Sequence, residues 1–462
     1  MTDAVKQSLN IFNRIVSNLL ADEDKHPVAE FVPSDILGER LDLKLQNAPL
    51  PTAELEAALK DLVFTSPRTA TPGFFNQLFG GRQDKAILGD LLSVMLNNSM
   101  ATYKAAGPQI GVEKAIIREV CNLIGWDESS DGTMGPGGSM TNLMGMLMAR
   151  DAYNPDTRHK GVHQNMTVYT SVESHYSTPK NAAFAGIGRE NVRKIKTDDQ
   201  GRMDNAVLRD TIKEDLAKGL HPVLINCTAG TTVLGAFDNL DEASKIAKEF
   251  GLWLHVDGAY CGSALFSDKY KHLISGVEKV DSFTINAHKM LGTPLSCSLI
   301  MVKDKTHLLE SFSNEASYLY QTDHDAFNLG KMSLQCGRRN DALKFWVLWK
   351  SLGTQGLGDM VEKQFALADT ARDYVRRNPD YTDYSVDDTV AICFNYKGIP
   401  ADKLCTALYQ QSEILVGYGS FREVQFVRLV TINATNESED ILNFFATLEN
   451  FVAQNPDLLT HA

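Results

Sequence analysis

The sequence has no CxxC pair, no excess of basic residues, no apolar run long enough to cross a bilayer, no internal repeat and no low-complexity tract. Each absence removes a class of protein. Its seven cysteines, Cys121, Cys227, Cys261, Cys297, Cys336, Cys393 and Cys405, are odd in number and widely spread, which argues against both a disulfide framework and a zinc site. No metal is expected. A reducing compartment follows, with cytoplasm as the default. Lys and Arg number 45 against 58 Asp and Glu, a formal net charge of -13, which repels nucleic acid and anionic membrane in the absence of a local basic patch. The N-terminus lacks the basic, apolar and small-residue pattern of a signal peptide, and no membrane span is expected.

What is present reads as an ordinary globular chain. With 462 residues, 43% apolar and 22% charged, it has the length for two or three domains around a large core. Ser8 to Leu20 place Ile11, Ile15, Leu19 and Phe12, Val16, Leu20 at i, i+4, i+8 spacing, so the chain starts with an amphipathic helix. The polar text from Ala21 to Pro51, broken by Pro27, Pro33, Pro49 and Pro51, reads as an extended arm. The helix either packs on another subunit or folds back on its own core; both readings stay open here. From about Pro72 to Arg339, strand-like runs at Met166 to Thr170, Val192 to Ile195, Val223 to Cys227, Leu252 to Val256, Ser282 to Ile285 and Ser298 to Val302 alternate with helical stretches such as Asn205 to Ala217 and Leu240 to Phe250. Such alternation implies a mainly parallel sheet covered on both faces. Beyond Arg339, helices at Ala342 to Leu352 and Asp359 to Val375, strands at Thr389 to Asn395 and Val424 to Thr431, and a last helix from Glu439 to Ala453 describe a smaller α+β lobe. The expected divisions are 1–65, a helical arm, 66–340, a large α/β domain, and 341–462, a small domain.

Chemistry concentrates at the ends of the strand-like runs. Asp281 to Met290 delivers Lys289 just past a buried strand, and a desolvated lysine is the amine that forms a Schiff base with an aldehyde. Taken alone, this decapeptide is read more simply as a surface lysine beyond a strand. Asp257 ends another such run in Leu254-His255-Val256-Asp257-Gly258-Ala259-Tyr260, where a carboxylate needs a cationic or donating partner. Gly135-Pro136-Gly137-Gly138-Ser139-Met140-Thr141-Asn142 opens a helical stretch, where free N–H groups can face an anion, although a plain turn before a helix is the simpler reading. It is neither GxGxxG after a strand nor GxxxxGK, which disfavours nucleotide binding. His175 follows the run Met166 to Thr170, and Asn226 to Thr232 ends a strand in small hydroxyl residues; both suit a ligand edge or an ordinary turn. A cofactor that asks for an aldehyde-capturing lysine, a carboxylate for a protonated ring nitrogen and a phosphate cup is pyridoxal phosphate.

These residues carry a resemblance. Phe74 to Leu78, Pro136 to Gly138, Ser174 to Ser177, Thr228 to Thr232, Leu252 to Ala259, Asn286 to Lys289 and Gln335 to Arg338 together resemble the pyridoxal-phosphate-dependent group II amino acid decarboxylases, and within them the glutamate and cysteine sulfinate decarboxylases. The resemblance implies an aminotransferase-like fold of type I, with a mainly parallel seven-stranded sheet, an N-terminal helical arm and a small C-terminal α+β domain. It implies that Lys289 holds the cofactor aldehyde, that Asp257 pairs with the pyridine nitrogen and that His175 stacks on the ring. Gly138, Ser139, Thr141 and Asn286 match phosphate-side positions, Thr228 and Ala259 lie near the ring, and His288 precedes the lysine. Arg428 matches the arginine for the substrate α-carboxylate, and Phe75, Gln77, Ser99 and Ala101 match substrate-side positions. Tyr318 matches a mobile-loop tyrosine that protonates the substrate carbon from the neighbouring subunit, which implies a homodimer.

The chain departs from that family in places. Asn286-Ala287-His288-Lys289 replaces the usual Asn-Pro-His-Lys, and Asp257-Gly258-Ala259-Tyr260 replaces Asp-Ala-Ala-Trp. Lys104 stands where the animal enzymes carry an acid, Ala101 where they carry an aromatic residue, and the loop after Tyr320 is shorter. Phe79 and Ser99 lean towards the cysteine sulfinate type. The expected activity is decarboxylation of an acidic amino acid, cysteine sulfinate or aspartate before glutamate. A decarboxylase of aromatic or other amino acids is the nearest rival, and an aminotransferase or carbon–carbon lyase on the same scaffold is a further one.

Overall fold

Seven strands build the sheet of the larger unit: β1 Asp131–Gly135, β2 Met166–Ser171, β3 Val192–Ile195, β4 His221–Thr228, β5 Trp253–Gly258, β6 Ser282–Asn286 and β7 Ser298–Val302. Their order is β1-β7-β6-β5-β4-β2-β3 in a computed structural model that describes residues 2–314, 325–411 and 414–461. The five strands from β6 to β3 run parallel, while β7 is antiparallel to β6 and β1 to β7. β2, β5, β6 and β7 are buried at every position, as continuous apolar runs covered on both faces require. The crossovers have clear starts. Asp204 caps the helix Asn205–Ala217 by accepting from the N–H groups of Ala206 and Val207, and Asn239 caps Leu240–Phe250 by accepting from Glu242 N–H. Such caps satisfy donors that a helix start leaves open.

β1 has no apolar run to announce it. Its sequence is Asp-Gly-Thr-Met-Gly, and a Cβ on Gly132 would strike the carbonyl oxygen of Ile300 on the neighbouring strand. Close backbone approach at the sheet edge thus selects glycine where β-branched residues would have signalled a strand. The larger unit comprises Arg82–Ala368 and Ser385–Ala391, and the smaller one Met1–Gly81, Asp369–Tyr384 and Ile392–Ala462. The divisions drawn from sequence, after residues 65 and 340, stand beside these at Gly81 and Ala368. One helix, Ala342–Arg377, contributes to both units and breaks at Gly353, where φ is 70°. The smaller unit holds a second sheet ordered β10-β11-β9-β8, with β8 Tyr381–Asp383, β9 Ala391–Tyr396, β10 Gly417–Phe421 and β11 Val424–Val430. Phe394, Phe426, Phe444 and Phe445 fill its core. Among the described residues no helix is long and apolar enough to cross a membrane.

Candidate active site

β4, β5 and β6 end side by side, and their register sets Thr228 beside Asp257 and Asp257 beside Thr284. The C-terminal edge of a parallel sheet is where open α/β folds take ligands. Here it borders a cavity of about 210 Å³, and Gly138, Ser139, His175, Thr228, Asp257, Ala259, Asn286, His288 and Lys289 all line it. Five more lining residues carried no assigned role from sequence: Asn142, Tyr176, Gly230, Thr232 and Tyr260. All five lie in the quoted motifs. Asn142 is four residues past Gly138, one helical turn on the same face, and that period was the available signal.

The cup is a helix start. Helix Gly138–Tyr153 has no side-chain cap at Gly137, whose φ of 145° suits glycine alone. Its first N–H groups therefore remain open to an anion. A Cβ on Gly138 would stand 2.9 Å from Asn286 Nδ2 and 3.0 Å from the Ala259 Cβ, so glycine lets the helix start approach the strand ends. Thr141 does not line the cavity; its hydroxyl donates to the Gly138 carbonyl at 3.1 Å.

Lys289 is fixed by the turn that follows β6. Its N–H donates to the Asn286 carbonyl at 3.1 Å, and the Ala287 N–H donates to the Cys297 carbonyl at 2.9 Å. The Cys297 N–H donates to His288 Nδ1 at 2.9 Å, and burial pushes the His288 pKa down to about 4, so this imidazole is a neutral acceptor that closes the turn. The Lys289 ammonium nitrogen lies 5.9 Å from the centre of the Tyr260 ring. Asp257, 5% exposed, accepts the Ala259 N–H at 3.1 Å. His175 accepts the Ser177 N–H on Nδ1 at 3.2 Å, which leaves its proton on Nε2. Burial lowers its pKa against the opposing charge of Asp257, with Lys289 adding to the lowering. Two buried oxygens of the wall, Thr228 Oγ1 and Asn286 Oδ1, have no partner among the described residues. An anion cup, an amine, a carboxylate and unpaired polar atoms on one small cavity fit a phosphorylated heteroaromatic aldehyde.

The remaining expected site residues lie elsewhere in the chain. Ser99 and Ala101 belong to the larger unit: the Arg338 N–H donates to Ser99 Oγ at 3.3 Å and its guanidinium to the Met100 carbonyl at 3.1 Å, while the Ala101 carbonyl accepts the Gly330 N–H at 2.8 Å. That guanidinium also donates to Glu113 at 2.7 Å in a buried ion pair. Arg428 belongs to the smaller unit, where it donates to the Asn76 carbonyl at 2.7 Å. Phe75, 1% exposed, packs there on Phe444 with ring centres 5.0 Å apart, and the next-but-one residue Gln77 is exposed. Tyr318 lies outside the described residues.

A parallel sheet with this equipment at its edge defines a pyridoxal-phosphate enzyme of fold type I. The Pyridoxal-dependent decarboxylase conserved domain matches residues 34–397, and the chain belongs to that family. Acidic amino acid decarboxylase GADL1 of Bos taurus is 36% identical over 449 residues, covering 92% of this chain and 86% of its own length. Cysteine sulfinic acid decarboxylase of Mus musculus is 37% identical over 373 residues, covering 79% and 76%. The crystal structure of mouse CSAD superposes with a TM-score of 0.92 at 30% identity, covering 97% of this chain and 99% of that one. The protein is a decarboxylase that uses pyridoxal phosphate.

Proposed function

We propose that the enzyme removes the α-carboxylate of an acidic L-amino acid as carbon dioxide, with cysteine sulfinate or aspartate preferred and glutamate third. The observation that carries the acidic class is the pair of relatives, named for acidic amino acids and for cysteine sulfinic acid, that align along most of the chain. When bound, pyridoxal phosphate supplies the electron sink for the pair left by the departing carboxylate. In this reading Lys289 would hold the aldehyde end of the cofactor. Asp257 would face the ring nitrogen and favour its protonated form, and His175 would stack on the ring. The N–H groups of Gly138 and Ser139 take the phosphate, with Asn286, and Thr141 stiffens that turn through the Gly138 carbonyl. Thr228 and Ala259 bound the ring, and His288 holds the lysine turn. Arg428 takes the substrate α-carboxylate, a job its planar fork suits. Phe75, Gln77, Ser99 and Ala101 shape the side-chain end, and Tyr318 returns a proton to the substrate carbon while the closed site excludes water.

The assembly that Tyr318 requires is a homodimer. In the smaller unit, helix Asp3–Asp22 exposes Val5, Leu9, Phe12 and Leu20, and helix Thr52–Thr65 exposes Leu55, Leu59 and Leu62. In the larger unit, helix Asp84–Leu96 exposes Leu88, Leu91, Leu92 and Met95. Apolar faces of this extent support burial against a second copy. The seven unbridged cysteines support a reducing compartment, and we place the enzyme in the cytoplasm.

The deciding experiment supplies pyridoxal phosphate and a panel of cysteine sulfinate, aspartate, glutamate, DOPA and 2,4-diaminobutyrate, and records carbon dioxide and amine together, with Lys289→Ala as control. Carbon dioxide from an acidic substrate, lost in the control, is the expected result. Carbon dioxide from an aromatic or cationic substrate alone refutes the specificity, and a keto acid or aldehyde without carbon dioxide refutes the reaction. Light scattering of the purified enzyme tests the dimer, and a fully active monomer overturns it.

A further inference from the structure

β5 puts His255 two residues before Asp257, on the face that helix Gly138–Tyr153 covers. The ring is fully buried, and a Cβ on Gly145 would come within 2.7 Å of it. Both ring nitrogens are engaged: Nδ1 lies 2.8 Å from Ser282 Oγ and Nε2 lies 3.0 Å from Asn142 Oδ1. The direction of these bonds can be worked out. An indole N–H only donates, and that of Trp253 donates to Ser282 Oγ at 2.8 Å. The Ser282 oxygen can accept a second bond as well, so the direction is set at the other nitrogen, where Asn142 Oδ1 can only accept. Burial pushes the His255 pKa down to about 4, so the neutral ring carries its one proton on Nε2 and gives it to Asn142. Nδ1 is then the acceptor for the Ser282 hydroxyl proton, and the Asn142 amino group faces away from His255. Asn142 is 7% exposed and lines the cavity, and its amino group has no partner among the described residues. The chain Trp253 to Ser282 to His255 to Asn142 thus ends in an oriented, unused donor at the wall of the cofactor cavity.

We propose that Asn142 is a cofactor-binding residue and that His255 is the positioning residue that aims it, the amino group donating to an oxygen of pyridoxal phosphate. The cofactor suits such a donor, because its phenolic and phosphate oxygens all accept. His255 touches neither substrate nor cofactor; it acts only through the amide. Asp257, two residues on along the same strand, lines the same cavity.

The test is a titration of the full-length apoprotein with pyridoxal 5'-phosphate, followed by the absorbance of the lysine-bound cofactor, alongside the thermal midpoint of each apoprotein. Asn142→Ala is expected to weaken cofactor binding about tenfold, the worth of one hydrogen bond, and Asn142→Asp, which turns the donor into an acceptor of the same shape, by more. His255→Phe is expected to give a smaller loss. The double variant His255→Phe with Asn142→Ala is expected to lose no more than Asn142→Ala alone, because residues that act through one another are not additive. Cofactor affinity within twofold of the parent in both Asn142 variants overturns the proposal. Losses that multiply in the double variant overturn the positioning role of His255. If His255→Phe does not fold, the two Asn142 variants still decide the binding role, and a loss of affinity that merely follows a lower apoprotein midpoint counts against it.

Discussion

Lys344 should be the most costly lysine to neutralise among those outside the site, and the reason is its complete burial. Its side chain is 0% exposed, with the ammonium 2.9 Å from Asp341 Oδ1 and 3.4 Å from Asp90 Oδ1. It also donates to the Pro294 carbonyl at 3.2 Å, in the loop that leads away from Lys289. Lys344→Met keeps the volume but leaves Asp341 only the half-exposed Arg339, whose Nε lies 3.3 Å from its Oδ1; burial already pushes this carboxyl up, and the Lys344 charge does most to hold it down. Removing one member of a buried pair costs about 3–5 kcal/mol, because the remaining charge is left without compensation. Asp90 loses less, since Arg339 donates to it at 2.7 Å against 3.3 Å to Asp341, and an arginine as exposed as this one returns only about 0–1 kcal/mol to Asp341. At roughly 2 °C per kcal/mol for a unit of this size, the thermal midpoint should fall by about 6–10 °C. Lys344→Met with Asp341→Asn removes both charges and should recover at least half of that loss, measured by calorimetry on the cofactor-loaded enzyme. A drop below about 2 °C in the single variant, or a double variant no better than the single one, would refute the reasoning that the penalty is a buried carboxylate stripped of its main partner.

Strand ends with reactive groups were legible because chemistry and position coincide there. Lys289, Asp257 and His175 each follow a buried apolar run, and each lines the cavity. Two capped helices were legible to their first residue, Asn205–Ala217 and Leu240–Phe250, whereas the first helix, expected from Ser8, starts at Asp3 behind the Thr2 cap. β1 and β10 were not, because both are rich in glycine, and at Gly132 the glycine serves close approach rather than strand propensity. Ala342–Arg377 was expected as two helices with a gap; the chain instead resumes helix directly after Gly353, so that one left-handed residue makes the whole break. Asn142 and His255 could be quoted from motifs but not given a task, since their meeting joins residues 113 positions apart through tertiary packing. Arg338 and Glu113, 225 positions apart, are hidden in the same way. A buried polar network leaves no periodic trace, because each member's role exists only through its partner.

Gly138→Ala should weaken cofactor binding by about tenfold without unfolding the enzyme, since a Cβ there meets Asn286 Nδ2 at 2.9 Å and displaces the wall by a fraction of an ångström; unchanged affinity in a spectral titration would contradict this. Ala101→Phe adds a ring at a position 3% exposed and should lower kcat/KM for glutamate relative to aspartate by about tenfold or more, the worth of one methylene in a filled pocket; an unchanged ratio removes Ala101 from the substrate side. Acid should destabilise the fold, and the sign follows from three buried groups. His255 and His288 have pKa values lowered from 6.5 to about 4, so the unfolded chain binds their protons first. Their contribution is complete above pH 6.5 and is lost as pH falls towards 4, about 3 kcal/mol for each histidine. Asp238 acts in the opposite sense, because burial raises its carboxyl from 3.8 to about 6. Its contribution is complete below pH 3.8 and is lost as pH rises through 6, so on acidification it offsets about half of the histidine effect. The thermal midpoint should therefore fall between pH 7 and pH 4.5, and His288→Asn should flatten that fall. A midpoint that holds level or rises over this interval would mean that the two imidazoles are not buried as neutral acceptors.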